Sequence, residues 1–106
     1  MSVPEISPSD FVARRERGDD MILLDVREEW ELAIAKVPDI VHIPMGEVPS
    51  RLGELDPTKE IVVLCRSGRR SLDVAQFLQQ RGYRSVNLAG GILAWGRELD
   101  PSLPTY

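Results

Sequence analysis

The chain has 106 residues, 42% of them hydrophobic, and a net charge of −4 from 13 basic and 17 acidic side chains, which is ordinary for a soluble globular protein. This length fills one core but not two, so the sequence reads as one domain over residues 1–106. The acidic balance excludes a whole-protein field that would attract nucleic acid or an anionic membrane.

Ser7-Pro8-Ser9-Asp10 supplies an N-cap, a proline for the first helical position and an acid for the first turn, so a helix is predicted from there to Gly18. Met21 to Leu24 is a short continuous apolar run ending in Asp25, as expected of a strand buried on both faces of a parallel sheet. Glu28 to Ala35 reads as a short helix. Ile40 to Ile43 reads as a strand stopped by Pro44, and Glu47 to Leu55 as a short helical stretch with Val48, Leu52 and Leu55 on one side. Ile61 to Leu64 is the strongest strand pattern and Arg70 to Arg81, closed by Gly82, the strongest helix pattern. Ser85 to Leu88 is the last predicted strand, Gly90-Gly91 a turn, and Ile92 to Leu99 a final helix stopped by Asp100-Pro101. The tail from Ser102 to Tyr106 is expected to pack loosely or not at all.

Strands alternating with helices across short loops predict an α/β fold, a small, mainly parallel sheet with helices on both faces. Ligands bind such folds beyond the carboxyl ends of the strands. Asp25-Val26-Arg27, Pro44-Met45-Gly46, Cys65 to Arg70 and Ala89-Gly90-Gly91 each follow a predicted strand, so all four should gather at that edge. The longest aliphatic stretches are far short of a membrane span.

The third of these segments carries the chemistry. Cys65-Arg66-Ser67-Gly68-Arg69-Arg70-Ser71 places a thiol at the end of a buried strand, followed by a glycine, three arginines and a helix start. Inward-pointing amides, the helix N-terminus and the guanidinium groups all favour an anion there, whether a Cys65 thiolate or a small oxyanion above it. A buried, inert cysteine beside a solvated helix start is the competing reading. Three arginines within one short loop of an acidic protein count against it. Cys65 is the only cysteine and His42 the only histidine, which excludes an intrachain disulfide and a Cys/His zinc site and fits a reducing, cytoplasmic setting. No dinucleotide or phosphate-loop fingerprint calls for a cofactor.

Together with Asp25-Val26-Arg27-Glu28, Val41-His42-Ile43-Pro44 and Asn87-Leu88-Ala89-Gly90-Gly91 followed by Ala94-Trp95, this loop resembles the single-domain rhodaneses, the thiosulfate sulfurtransferases, along nearly the whole chain. The resemblance implies that Cys65 takes up a sulfane sulfur as a persulfide and passes it to cyanide or a thiol. The acceptor would be a small thiol or a thioredoxin-like protein. It also implies that Arg66, Ser67, Gly68, Arg69 and Arg70 form the cradle for thiosulfate, and that Asp25 and Arg27 support the site without taking part in the chemistry. Two other readings stand beside this one. One is a persulfide carrier or docking module loaded by a partner protein. The other is a small-oxyanion phosphatase or arsenate reductase on the same fold. Related phosphatases carry a longer loop, with arginine at the position that is Ser71 here, which counts against the phosphatase.

The chain departs from the family at Ala35-Lys36-Val37-Pro38-Asp39-Ile40, where many members have Gly-His-Ile-Pro-Gly-Ala. Without the glycines, Ala35 or Asp39 must make a different local turn, and Asp tolerates positive φ better than most residues. His42 is expected to be structural and Trp95 to pack in the core. Trp30 is expected to lie against the sheet, and the acidic run Glu28 to Glu31 and the basic run Arg14 to Arg17 to be solvated faces.

Overall fold

The computed structural model describes residues 2–106. Five strands, β1 (Glu5–Ile6), β2 (Met21–Asp25), β3 (Ile40–His42), β4 (Glu60–Leu64) and β5 (Ser85–Leu88), form one sheet in the order β1-β5-β4-β2-β3. Every pairing is parallel, with Leu23 opposite Val62 and Val62 opposite Val86 across the centre. Parallel neighbours need crossover connections. Three of them carry α1 (Pro8–Glu16), α2 (Glu29–Ile34) and α3 (Arg69–Gln80), the one from β3 to β4 carries only 3₁₀ turns, and α4 (Gly91–Glu98) follows the last strand.

The period-2 alternation of the strands divides the core into two layers. Leu24, Ile61, Val63 and Cys65 face one side and pack with Val74, Ala75 and Leu78 of α3 and with Val48 and Leu55. Leu23, Val62, Leu64, Val86 and Leu88 face the other and pack with Phe11 of α1 and Ile92 and Trp95 of α4. Trp95 is a core residue, its ring 6.0 Å from that of Phe11. Helix α1 starts as its sequence predicts, with the Ser7 hydroxyl accepting from the Asp10 N–H at 3.1 Å.

Three segments differ from expectation. Glu5–Ile6 forms a strand on β5, with Pro4 O and Ile6 O accepting from the Asn87 and Ala89 N–H groups. Glu47 to Leu55 forms 3₁₀ turns, not a continuous helix: Pro49 lacks an N–H and Arg51 leaves helical geometry at φ −117°. The tail is anchored rather than loose, with Leu103 and Tyr106 packed against the α4 layer of the core. In the segment that departs from the family, Asp39 takes φ +60° and Ala35 stays extended at φ −151°. The aspartate thus makes the turn that a glycine would otherwise provide.

Among the described residues no helix is long and apolar enough to cross a membrane.

Candidate active site

All four predicted segments meet at the carboxyl edge of the sheet. The Val26 N–H donates to Leu64 O, the Met45 N–H to Val26 O, and the Ile92 and Leu93 N–H groups to Cys65 O and Arg66 O. Cys65 leaves β4 on the α3 side of the sheet and is buried. Gly68 turns the chain at φ +100°, a conformation open to glycine, and its N–H donates to Cys65 Sγ at 3.1 Å. The loop is held from behind by Gly91. A Cβ on Gly91 would lie 2.5 Å from the backbone of both Cys65 and Arg66, so only glycine allows α4 to approach this closely.

The three arginines have separate fates. Arg70 makes a bidentate pair with Glu31 of α2, Nη1 to Oε1 at 2.6 Å and Nη2 to Oε2 at 2.8 Å. Arg66 lies over the ring of Tyr106, 5.2 Å from the centroid. Arg69 and Ser67 are exposed at the outer face of the loop. Of these three, Arg66 and Arg69 carry charge with no carboxylate in contact among the described residues.

Asp25 and Arg27 form a fully buried ion pair, with Arg27 Nη2 2.8 Å from Asp25 Oδ2. Arg27 also donates to Ala35 O at 2.9 Å and to the Tyr106 hydroxyl at 3.0 Å. Its own carbonyl lies 2.6 Å from His42 Nε2, so the histidine braces the segment after β2, a structural role as the sequence suggested. No Arg27 or Asp25 atom is hydrogen-bonded to Cys65; the pair shapes the floor on which α2 and the tail rest.

Sequence reasoning missed Glu31, Tyr106 and Asn87. Glu31 belongs to a run expected to be solvated, yet it is buried and accepts from Arg70, from the Tyr106 hydroxyl at 2.6 Å and from the Glu28 N–H at 3.0 Å. The Arg70 contact, helped by Tyr106 and the Glu28 amide against the opposing effect of burial, holds its carboxyl down to about 2. Burial, reinforced by the Glu31 carboxylate, pushes the Tyr106 phenol up. Trp30, expected against the sheet, instead points outward at 62% exposure, edge-on to Tyr106 with 6.1 Å between ring centroids. It turns away because Glu31, next in the chain, takes the inward position.

The Glu31 clamp has a defined pH signature. A carboxyl at about 2 in the fold and 4.5 outside it stabilises the protein fully above pH 4.5 and loses that contribution as pH falls toward 2. Glu31→Gln is expected to cost about 2 kcal/mol at neutral pH, less than a fully buried pair because solvent reaches Arg70. In urea unfolding followed across pH, the gap between wild type and variant should be flat at neutral pH and close in acid. A gap that persisted unchanged at pH 2 would contradict this assignment.

The rhodanese-like domain family matches residues 7–98 of the chain. The chain is 41% identical over 101 residues to the Bacillus subtilis protein named "Putative sulfurtransferase YtwF", covering 95% of this chain and 98% of that one. It is 38% identical over 96 residues to a protein of Allochromatium vinosum named "Sulfurtransferase", covering 90% of each. The crystal structure of a rhodanese-like domain protein from Staphylococcus aureus superimposes with a TM-score of 0.85 at 27% identity, covering 98% of this chain and 99% of that one. The parallel five-stranded sheet with its helices thus has its counterpart in that solved structure. The chain belongs to the rhodanese family.

Proposed function

We propose that the protein is a thiosulfate sulfurtransferase that works through a persulfide on Cys65. The carrying observation is the placement of Cys65 Sγ at the carboxyl end of β4, under the Gly68 N–H and at the start of α3, with Arg66 and Arg69 on the rim. Such a cradle favours a sulfur anion, and the cationic rim favours a dianionic donor. In the first half-reaction the Cys65 thiolate attacks the outer sulfur of thiosulfate. A Cys65 S–S bond forms, the donor's S–S bond breaks, and sulfite leaves with the bonding electrons. In the second half-reaction an acceptor thiolate attacks the outer sulfur of the persulfide and departs as a persulfide, returning Cys65 as thiolate.

Cys65 is the only cysteine in the chain, so no internal thiol can resolve the persulfide and the sulfur must leave to an outside acceptor. A small thiol or an exposed thiol of a thioredoxin-like protein has the required chemistry. A phosphate ester is a poorer fit. Ser71 stands where the phosphatase arginine would be, and Glu31 already engages both terminal nitrogens of Arg70.

Intact mass of the reductant-free protein after incubation with thiosulfate tests the proposal. The expected result is a gain of about 32 Da, one sulfur atom, that is reversed by a small thiol. An unchanged mass in folded protein would overturn thiosulfate as donor. Loading by a cysteine desulfurase under the same conditions would then assign the chain as a partner-loaded carrier.

A further inference from the structure

The hydroxyl beneath the nucleophile is committed elsewhere. Ser71 is fully buried in the first turn of α3, and its Oγ lies 3.2 Å from Cys65 Sγ and 2.6 Å from Asn87 Oδ1. A serine hydroxyl has one proton and cannot donate to both. The Asn87 amide fixes which partner receives it. Asn87 Nδ2 lies 2.9 Å from Glu5 Oε2 and 3.0 Å from Gly68 O, both acceptors. A flipped amide would set its oxygen against a carboxylate and a carbonyl, so Oδ1 must face Ser71, and an amide oxygen can only accept. The Ser71 proton therefore points at Asn87, and an oxygen lone pair points at sulfur. Asn87 reaches this position because Val86 and Leu88, its neighbours on β5, face the α4 layer and the alternation sends it toward α3.

We propose that Asn87 is a positioning residue which, by holding the Ser71 proton, makes Ser71 an acceptor for the Cys65 thiol and withholds a hydrogen bond from the Cys65 thiolate. The proposal rests on Cys65 as the sulfur-bearing nucleophile. A thiolate given fewer hydrogen bonds is the stronger nucleophile toward a sulfur donor. Once the persulfide forms, Sγ is divalent and uncharged, and the lone pair of Ser71 no longer opposes a charge. The arrangement thus favours the sulfur-loaded state over the free thiolate. The same amide bonds Gly68 O, so one side chain sets both the hydroxyl below the sulfur and the loop above it.

The charged groups around this relay come from every neighbouring element: Arg66, Arg69 and Arg70 in the loop and α3, Glu31 of α2 on Arg70, Glu5 of β1 behind Asn87, the Asp25–Arg27 pair at the end of β2, and Arg97 of α4 near Gly90. Ser71→Ala touches none of them, and Asn87→Ala removes only the amide that donates to Glu5, a loss common to both members of the pair compared in that background. The test is the pH midpoint of thiolate formation at Cys65, read by ultraviolet absorbance in Ser71→Ala, Asn87→Ala and the double variant. Ser71→Ala alone is expected to move the midpoint down by roughly half a pH unit, because it removes an acceptor for the thiol and a lone pair opposed to the thiolate. In the Asn87→Ala background Ser71 is free to donate, and the same Ser71→Ala change is expected to move the midpoint up. A midpoint that rises or stays put on Ser71→Ala in the wild-type background overturns the proposal, and so does an effect of the same sign in both backgrounds. If Asn87→Ala does not fold, the sign of Ser71→Ala alone decides. The titration needs no sulfur donor, so failure of the relay and failure of sulfur loading are read separately.

Discussion

Cys65→Ser is expected to lower sulfur transfer from thiosulfate by roughly 10⁴-fold or more, with no mass gain after incubation with the donor. The size of the effect follows from the chemistry of the step. A serine hydroxyl is not ionised at neutral pH and forms no persulfide, so the first half-reaction has no carrier and the remaining rim can only bind the donor. The fold should survive the change. Serine is smaller than cysteine by little, and its Oγ can take over the Gly68 N–H that now donates to Sγ at 3.1 Å. A stability loss of about 1 kcal/mol is expected, from placing a hydroxyl where a buried sulfur stood. Steady-state sulfite release and thermal unfolding on one preparation check both parts. Undiminished transfer by a folded Cys65→Ser protein would remove Cys65 from the mechanism.

The largest effect on stability is expected at Arg27. Its side chain is fully buried and is held by Asp25, Ala35 O and the Tyr106 hydroxyl. Arg27→Met keeps much of the volume but leaves the Asp25 carboxylate buried beside no cation. Breaking a buried pair in this way costs about 3–5 kcal/mol, a large part of the roughly 5–15 kcal/mol that holds a domain of this size together. Asp25→Asn added to Arg27→Met should recover part of that loss, because the unpaired charge is gone and the amide oxygen can still accept the Arg27 backbone N–H replaced in kind by methionine's. Urea unfolding of the two variants measures this. A double variant less stable than Arg27→Met would show that the cost lies in lost hydrogen bonds to Ala35 and Tyr106 and not in the stranded charge.

What the sequence reveals about this molecule is whatever is carried by neighbours in the chain. The continuous apolar runs at Leu23-Leu24 and Ile61 to Leu64 have no polar face, which specifies strands covered on both sides, and the loops that follow them converge by topology. The Cys65 loop is legible for the same reason, since thiol, glycine and arginines lie within one turn of chain. Glu31, Asn87 and Tyr106 are not. Glu31 is buried only because Arg70 arrives from α3, Asn87 is polar in a buried strand because Ser71 and Gly68 face it, and Tyr106 is docked by Arg27 and Glu31. Their partners are distant in sequence, and local pattern reads Glu31 as surface and Tyr106 as tail, and places Asn87 in a strand without showing what its side chain meets. Trp30 shows the converse. An aromatic at a helix start suggests packing, but on a helix of six residues the inward position can go to one residue, and the ion pair claims it for Glu31.

The sheet also ends in a particular way. Its outermost strands are β1, two residues between Pro4 and Pro8, and β3, three residues between Pro38 and Pro44. A long open edge presents a row of unpaired amides on which another chain can continue the ladder. Here each rim is only a step or two long and bounded by residues without an N–H, so a sixth strand finds little to grip. If the proposed acceptor is a thiol on another protein, such short rims let each encounter end in separation instead of strand exchange.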